Sequence, residues 1–362
     1  MLRRSFLTKT AVGASAAALA VPALAQALPT INWRLASSFP KTLDTIFGAA
    51  DVFTKRVLQL TGGKFQIRTF AGGEIVPGLQ VLDAVQAGTV EMGHTASYYY
   101  YGKDASFAFD CAMPFGLTSR QQTAWFVQGG GRELTREFFR GYGVMNFLGG
   151  NTGTQMGGWY RKPVKSVADI KGMKIRIGGM AGRVMERMGA VPQQIAGADV
   201  YPALEKGTID AAEWVGPYDD EKLGLYKVAP HYYAPGWWEA GPQLSFLIGI
   251  KEWEKLPKEY QAAIEAASFE AHVVMQAEYD AKNPAALARL LKGGVMLSTF
   301  SKDIIAAAYA ASTQVMEDEA AKNAKFKKIY EPWKRFRQDQ NMWASVAEAP
   351  MQNYLINSGR AK

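Results

Sequence analysis

The chain has 362 residues, a formal charge of +8, 48% hydrophobic residues and one cysteine, Cys111. That length exceeds what one ordinary core needs and points to two lobes, while a single cysteine excludes a disulfide within the chain and reads as a buried structural thiol. The charge is modest and interleaved with acids, as in Lys251-Glu252-Trp253-Glu254-Lys255, so there is no basic stripe for nucleic acid; a mild positive balance suits small anions instead.

Residues 1–25 read as an export signal. Arg3-Arg4-Ser5-Phe6-Leu7-Thr8-Lys9 is a twin-arginine pattern, Ala11 to Leu24 is an apolar run without an acid, and Ala23-Leu24-Ala25 is a small-x-small cleavage site. The run is shorter than the roughly 20 apolar residues that span a bilayer. Without Arg3, Arg4 and Lys9 the charge of +8 falls to +5. The expected location is the periplasm.

Ile31 to Ser37 alternates as a strand, and a helix is predicted from a Thr42 cap to about Leu60, ended by Thr61-Gly62-Gly63. Strands follow over Lys64–Phe70 and from Val90, with a helix over Leu79–Ala87 between them. This alternation argues a parallel sheet covered by helices, with ligands beyond the carboxyl ends of the strands. At the third such end stands Tyr98-Tyr99-Tyr100-Tyr101. Tyr99 and Tyr100 are candidates for an aromatic ligand wall; the plain alternative is filler at a lobe boundary.

A helix is expected over Gln121–Phe139 and a strand from Val144 to Gly149. The alternation then restarts with strands from Gly157, over Lys174–Ile177 and over Ile209–Trp214, and helices over Ala181–Met188 and Val200–Lys206. Leu244–Ile250 is an apolar run able to return to the first sheet. From Pro257 the chain reads as helix to its end, interrupted at Pro284 and at Gly293–Ser298. The expected fold is α/β with two lobes and a ligand cleft between them. The first lobe takes 26–150 and is completed by about 239–270. The second takes 151–238 and is completed by about 271–320, and 321–362 form a helical tail.

Three strand ends carry the chemistry. Arg176 lies in Lys174-Ile175-Arg176-Ile177 before Gly178-Gly179, Glu213-Trp214 precedes Val215-Gly216-Pro217, and Glu239 follows Trp237-Trp238. An arginine presents a planar fork that matches a carboxylate, and two glutamates beside it call for a cation. The plain alternatives are a salt-bridged strand-edge arginine, ordinary surface acids and a packing tryptophan. Nucleophilic catalysis finds no support, since His94, His231 and His272 sit in no nucleophile motif and there is no P-loop or Cys/His cluster. A metal-dependent lyase or isomerase with Glu213 as base is the competing class.

These motifs resemble the periplasmic solute receptors of tripartite ATP-independent (TRAP) transporters, the DctP-type group. The resemblance rests on Trp33–Ser38 (WRLASS), Phe70–Val76 (FAGGEIV), Leu82–Gly93 (LDAVQAGTVEMG) and Asp169–Arg176 (DIKGMKIR), and runs through the mature chain. It implies two α/β lobes joined by crossing strands, a long helix spanning both, no catalysis, and delivery of a small organic acid to membrane transporter subunits. Ala212–Tyr218 (AEWVGPY) resembles the subgroup that binds 2-oxo or 2-hydroxy monocarboxylates with a metal ion. By that resemblance Gln155 and Arg176 hold the ligand, Asn151 shares the role of Gln155, and Glu213, Trp214 and Glu239 complete the metal and ligand shell. The expected ligand is pyruvate-like, with lactate-like acids or a C4-dicarboxylate as alternatives. A carboxylate on Arg176 leaves a neighbouring ligand oxygen free, and with Gln155 and two glutamates this makes an all-oxygen cage. Ca2+ suits such a cage, and Na+ suits it equally on ligand type.

Near the end of the chain Phe326, Tyr330, Trp333 and Phe336 form an aromatic stripe at helical spacing, with Trp343 and Tyr354 beyond it. Lys327, Lys328, Lys334, Arg335 and Arg337 occupy the other face. Such a stripe must be covered, by its own second lobe or by a second copy. The expectation leans to a homodimer through residues after about Ala320.

Overall fold

The computed structural model describes residues 28–360, and the expected export signal lies outside the described residues. In chain order the strands are β1 (Ile31–Ser37), β2 (Phe65–Phe70), β3 (Met92–Thr95), β4 (Val144–Asn151), β5 (Trp159–Tyr160), β6 (Lys174–Arg176), β7 (Val191–Gln193), β8 (Ala211–Ala212), β9 (His231–Ala234), β10 (Gln243–Gly249) and β11 (Met296–Thr299). The helices are α1 (Gly48–Leu60), α2 (Val81–Gln86), α3 (Ser119–Gln128), α4 (Gly131–Arg140), α5 (Gly179–Arg187), α6 (Gly197–Glu205), α7 (Pro217–Leu223), α8 (Ile250–Lys255), α9 (Lys258–Lys292), α10 (Lys302–Lys322), α11 (Ala324–Val346) and α12 (Glu348–Arg360).

The strands form two sheets, ordered β2-β1-β3-β10-β4 and β11-β9-β5-β8-β6-β7. Neither is purely parallel. β10 runs antiparallel between β3 and β4, and β5 runs antiparallel to both β8 and β9. The reason is the route of the chain. A strand that arrives from the other lobe enters its sheet from the cleft side, where the parallel strands end, so it must run against them. The two crossings, residues 152–158 and 235–242, join the lobes at that side. The third link is α9, which packs on α1 and β4 of the first lobe and on α7 of the second.

Local departures from the sequence reading have physical causes. α1 starts at Gly48 and not at Thr42, because residues 41–47 turn so that Leu43, Ile46 and Phe47 are buried. The expected helix over 121–139 is two helices, parted where Gly130 takes a φ of 81°. Pro284 does not interrupt α9, which runs 35 residues through it. The missing amide is tolerated there because buried Tyr279, Ala286 and Leu290 on either side hold the helix in place. Cys111 is buried.

The tail corrects the sequence expectation most. Phe326, Tyr330 and Trp333 are buried in their own chain, with ring centres 4.7, 6.4 and 5.8 Å from Phe109. They pack within their own chain on residues 105–140 of the first lobe, and the Tyr330 hydroxyl donates to Glu317 of α10 at 2.9 Å. α10 lies on α5 of the second lobe, and α11 folds back from it. The exposed apolar residues lie further on, at Met342, Trp343, Val346, Met351, Tyr354, Leu355 and Ile356.

Two buried histidines fasten the end of β4 that leads into the first crossing. His94 Nε2 donates to the Gly149 carbonyl at 2.8 Å, and His272 Nδ1 donates to the Gly150 carbonyl at 3.0 Å. Burial lowers the pKa of each to about 4, against the pull of its carbonyl partner. The unfolded chain takes up protons near pH 6.5 while the folded one does so only near 4, so stability falls as pH drops through that window. Between pH 7 and pH 5 the loss is about 2 kcal/mol for each histidine. Urea denaturation of His94→Gln at the two pH values should show about that much less acid destabilisation than the parent chain; an unchanged pH dependence would contradict it.

Candidate functional site

The two crossings run side by side. Gln155 N donates to the Glu239 carbonyl at 3.1 Å, Gly236 N to the Gln155 carbonyl at 3.0 Å, and Thr152 N to the Pro242 carbonyl at 3.2 Å. Gly236 is required at this approach: a Cβ there would fall 2.6 Å from the Met156 carbonyl oxygen and 2.7 Å from that of Gln155. Gln155 and Glu239, 84 positions apart in the sequence, are thereby fixed to each other.

β6 and β8 are neighbours with Arg176 opposite Ala212, and Glu213 N donates to the Arg176 carbonyl at 3.1 Å. This pairing brings the Arg176 side chain onto Glu213. Nη1 donates to the Glu213 backbone oxygen at 2.7 Å and also meets the Glu213 carboxylate. Nε donates to the Ile195 carbonyl at 3.2 Å, and the guanidinium lies 4.8 Å from the centre of the Trp214 ring. Nη2 makes no hydrogen bond to the described residues. The expected fork is therefore half spent on the protein, and it opens fully only when Glu213 moves to another partner.

Arg176, Glu213 and Glu239 are all buried, so two carboxylates face one guanidinium. Burial pushes Glu213 up to about 7 although Arg176 pulls it down, and burial together with the Glu213 charge pushes Glu239 well above the usual carboxylate range. Glu213 Oε2, both carboxylate oxygens of Glu239 and Gln155 Oε1 are buried and have no hydrogen-bond partner. Orphaned acceptors of this kind are costly unless something else satisfies them. Four oxygens and no nitrogen or sulfur form a donor set for a hard cation. Among the described residues no three His, Cys, Asp or Glu side chains gather to hold a metal. Two carboxylates and one amide oxygen are fewer donors than a hard cation takes.

The space left beside these groups is narrow, with a cavity volume of about 10 Å3, and is lined by Phe39, Ile46, Ala96, Tyr98, Tyr99, Thr152, Gln155, Arg176, Trp214, Val215, Pro242 and Leu244. Its wall away from Arg176 is apolar. A larger, open groove lies at the rim between Gly72–Gln80 and Gln194–Asp199. Its charged side chains are Glu74 and Asp199, which repel an organic anion.

The sequence-derived candidates divide accordingly. Gln155, Arg176, Glu213, Trp214 and Glu239 converge, and Tyr99 lines the space. Tyr100 does not: its hydroxyl is held by Leu82 N at 3.0 Å and Thr95 Oγ1 at 3.1 Å. Asn151 is also spent elsewhere, donating to the Gly241 carbonyl at 3.1 Å and accepting from Gly153 N at 2.9 Å, so it shapes the crossing. Thr152 was missed. Its Oγ1 accepts from Gln155 Nε2 at 3.2 Å, which turns Gln155 Oε1 towards the glutamates. Tyr98 was missed as well. It packs so closely on Gly178 that a Cβ there would come within 2.4 Å of its ring. The tyrosine run and the Gly-Gly pair were both visible in the sequence, but their contact across the cleft was not.

Two buried carboxylates without a cation repel each other. Glu239→Gln should therefore raise the melting temperature of chelator-treated protein by a few degrees and abolish any further rise on adding calcium with a 2-oxo acid. Differential scanning calorimetry with and without chelator measures both, and an undiminished calcium-dependent rise would remove Glu239 from the site.

Residues 36–323 match the model of the family described as bacterial extracellular solute-binding protein, family 7, also termed DctP. A monocarboxylate 2-oxoacid-binding periplasmic protein of Nostoc sp. PCC 7120 is 49% identical, over 99% of this chain and 100% of its own length. A TRAP transporter solute-binding protein of Bordetella bronchiseptica RB50, solved as a mixed-occupancy dimer with copurified calcium and picolinate, superposes with a TM-score of 0.91 at 52% identity, covering 92% of this chain and 100% of that one. A TRAP periplasmic solute-binding protein of Pseudoalteromonas atlantica, with bound sodium and pyruvate, gives 0.86 at 36% identity, covering 90% and 98%. Two α/β lobes, a cleft crossed by two strands and a match over most of the chain lead to one conclusion: the chain belongs to family 7 of the bacterial extracellular solute-binding proteins, the DctP family.

Proposed function

We propose that the protein is an extracytoplasmic receptor that binds a small 2-oxo monocarboxylate, pyruvate or a near relative, together with a cation, and presents it to the membrane subunits of a TRAP transporter. The observation that carries this reading is the set of four buried, unpartnered oxygens beside a single guanidinium. Glu213, Glu239 and Gln155 would hold the cation, which would supply the positive charge the two carboxylates lack, and Arg176 would then be free to hold the ligand carboxylate. The Trp214 carbonyl, which accepts no hydrogen bond from the described residues, would be a further oxygen donor beside the ligand's own 2-oxo and carboxylate oxygens. A 2-hydroxy acid offers the same two oxygens less strongly. A C4-dicarboxylate would press its second charge on Phe39, Ile46, Pro242 or Leu244, none of which can answer it. Calcium balances the charge once the ligand carboxylate has joined two glutamates and one arginine, whereas sodium leaves one negative charge uncompensated.

Supporting closure, the two lobes meet through polar contacts at the rim. Tyr218 Oη donates to Asp44 at 3.0 Å, Lys222 pairs with the same carboxylate, and Gln194 Nε2 donates to the Tyr99 carbonyl at 2.7 Å. Supporting a lobe division at 26–150 with 239–270, and 151–238 with 271–320, β1 to β4 share one sheet with β10, and β5 to β9 share the other with β11. We take residues 1–25 as a twin-arginine export signal. We also assign pairing of two copies to the exposed apolar residues of the tail after residue 341, and not to the aromatic stripe before it. The Bordetella relative's dimer supports pairing.

Calorimetry on the mature chain should show pyruvate binding that requires calcium or sodium and vanishes in chelator with sodium replaced by a bulky organic cation. Arg176→Lys should weaken it by roughly 1.5–3 kcal/mol, the scale of a charged hydrogen bond, because lysine cannot form the fork. Tight dicarboxylate binding with none for 2-oxo acids would overturn the reading. For pairing, sedimentation at micromolar concentration should give a dimer that becomes a monomer when residues 342–362 are deleted; a dimer that survives the deletion would place the contact elsewhere.

A further inference from the structure

Glu239 presents a difficulty for a cation site. Neither of its carboxylate oxygens accepts a well-formed hydrogen bond, and only the Tyr98 hydroxyl of the first lobe faces it, so its placement depends mainly on the backbone that carries it. That backbone is braced from outside the cleft by residues 111–119 of the first lobe. Gln243 N donates to the Cys111 carbonyl at 3.1 Å, and Phe115 N donates to the Trp237 carbonyl at 2.8 Å. Gly241 lies so near the same segment that a Cβ would fall 2.1 Å from Ser119 N.

Phe115 is the centre of this brace. It holds a φ of 52°, in the left-handed region that a bulky residue rarely occupies and keeps only where its surroundings force it. Its ring stacks on Trp237, with centres 5.3 Å apart and planes 14° from parallel, and receives the edge of Tyr309 at 5.2 Å. Its carbonyl accepts from Arg337 Nη1 at 3.1 Å. Arg337 belongs to α11, where its guanidinium lies 5.2 Å from the centre of the buried Trp333 ring. The tail thus reaches the segment of Glu239 through three linked contacts: Arg337 to the Phe115 carbonyl, Phe115 to Trp237, and Trp237 to Glu239 two residues on.

We propose that Arg337 is a positioning residue for the cation site: from the C-terminal helix it pins Phe115 against Trp237 and so fixes the backbone that presents the Glu239 carboxylate. This rests on the reading that Glu239 holds the cation. Arg337 itself touches neither cation nor ligand. It is solvated in part and sits on the face of α11 that the sequence marks only as basic, so nothing but the fold connects it with Glu239.

The test compares Arg337→Met, which keeps the length and apolar stem but loses the donors, with Arg337→Lys, which keeps one donor. Calcium is titrated into the mature chain with pyruvate at fixed concentration, and melting temperature in chelator is recorded alongside. Outer-shell partners of metal ligands are worth about 10–100-fold in metal affinity. Arg337→Met should lose about tenfold or more in calcium affinity with a chelated melting temperature close to that of the parent, and Arg337→Lys should recover most of the loss. Parent-like calcium affinity in Arg337→Met would overturn the inference alone. So would equal losses in both variants matched by equal falls in the chelated melting temperature, since these would mark a purely structural residue. A parent chain that binds no calcium with pyruvate would overturn both the cation reading and this inference.

Discussion

The account depends on an imbalance of buried charge. Arg176 can answer one carboxylate, and the cleft holds two, Glu213 and Glu239, neither of them exposed to water. Charges removed from water without full compensation are expensive, so the folded chain holds its ligand site in a state that an incoming cation relieves. The Arg176–Glu213 pair is the resting form of that state. In it Glu213 keeps the arginine oriented and occupied. On the proposed reading a cation held by Glu213 would open the fork, and cation and ligand would assist each other, because each would supply what the other's binding leaves unmet.

The architecture serves that exchange by placing each group on a different kind of support. Arg176 and Glu213 stand at the ends of adjacent strands of the second lobe, where sheet register sets their spacing. Gln155 and Glu239 stand on the two crossings, tied to each other by backbone hydrogen bonds and braced from the lobes by Phe115 and Val215. Tyr98 and Tyr99 come from the first lobe. The aromatic wall and Arg176 thus stand on different lobes, while Gln155 and Glu239 stand together between them. Gly178 and Gly236 mark close approaches, one across the cleft and one between the crossings.

Much of this was legible in the sequence, and the reasons are specific. Arg176 and Glu213 each followed a short apolar run and preceded Gly or Pro, so each could be placed at a strand end without a structure; Glu239 was read the same way but stands on the crossing between β9 and β10. The two lobes followed from alternation that stopped near Gly149 and began again near Gly157. What failed was whatever depended on the chain's path in space. Strand direction at β10 and β5 is set by entry from the cleft, which no local pattern records. Tyr99 and Tyr100 are chemically identical neighbours, and only the turn they sit in sends one hydroxyl to Thr95 and leaves the other residue on the cavity wall. The aromatic stripe of α11 was recognised as a buried face, but its partner, Phe109, is more than two hundred residues away. The brace from Arg337 through Phe115 is likewise tertiary throughout.

The most direct test of the central claim is a crystal structure of the mature chain grown with calcium and pyruvate. The account predicts one cation bound by Gln155 Oε1, Glu213 and Glu239 with two pyruvate oxygens, the pyruvate carboxylate on Arg176, and the Arg176–Glu213 side-chain contact broken. An intact Arg176–Glu213 ion pair, with calcium and pyruvate absent from the cleft or held by other residues, would contradict it.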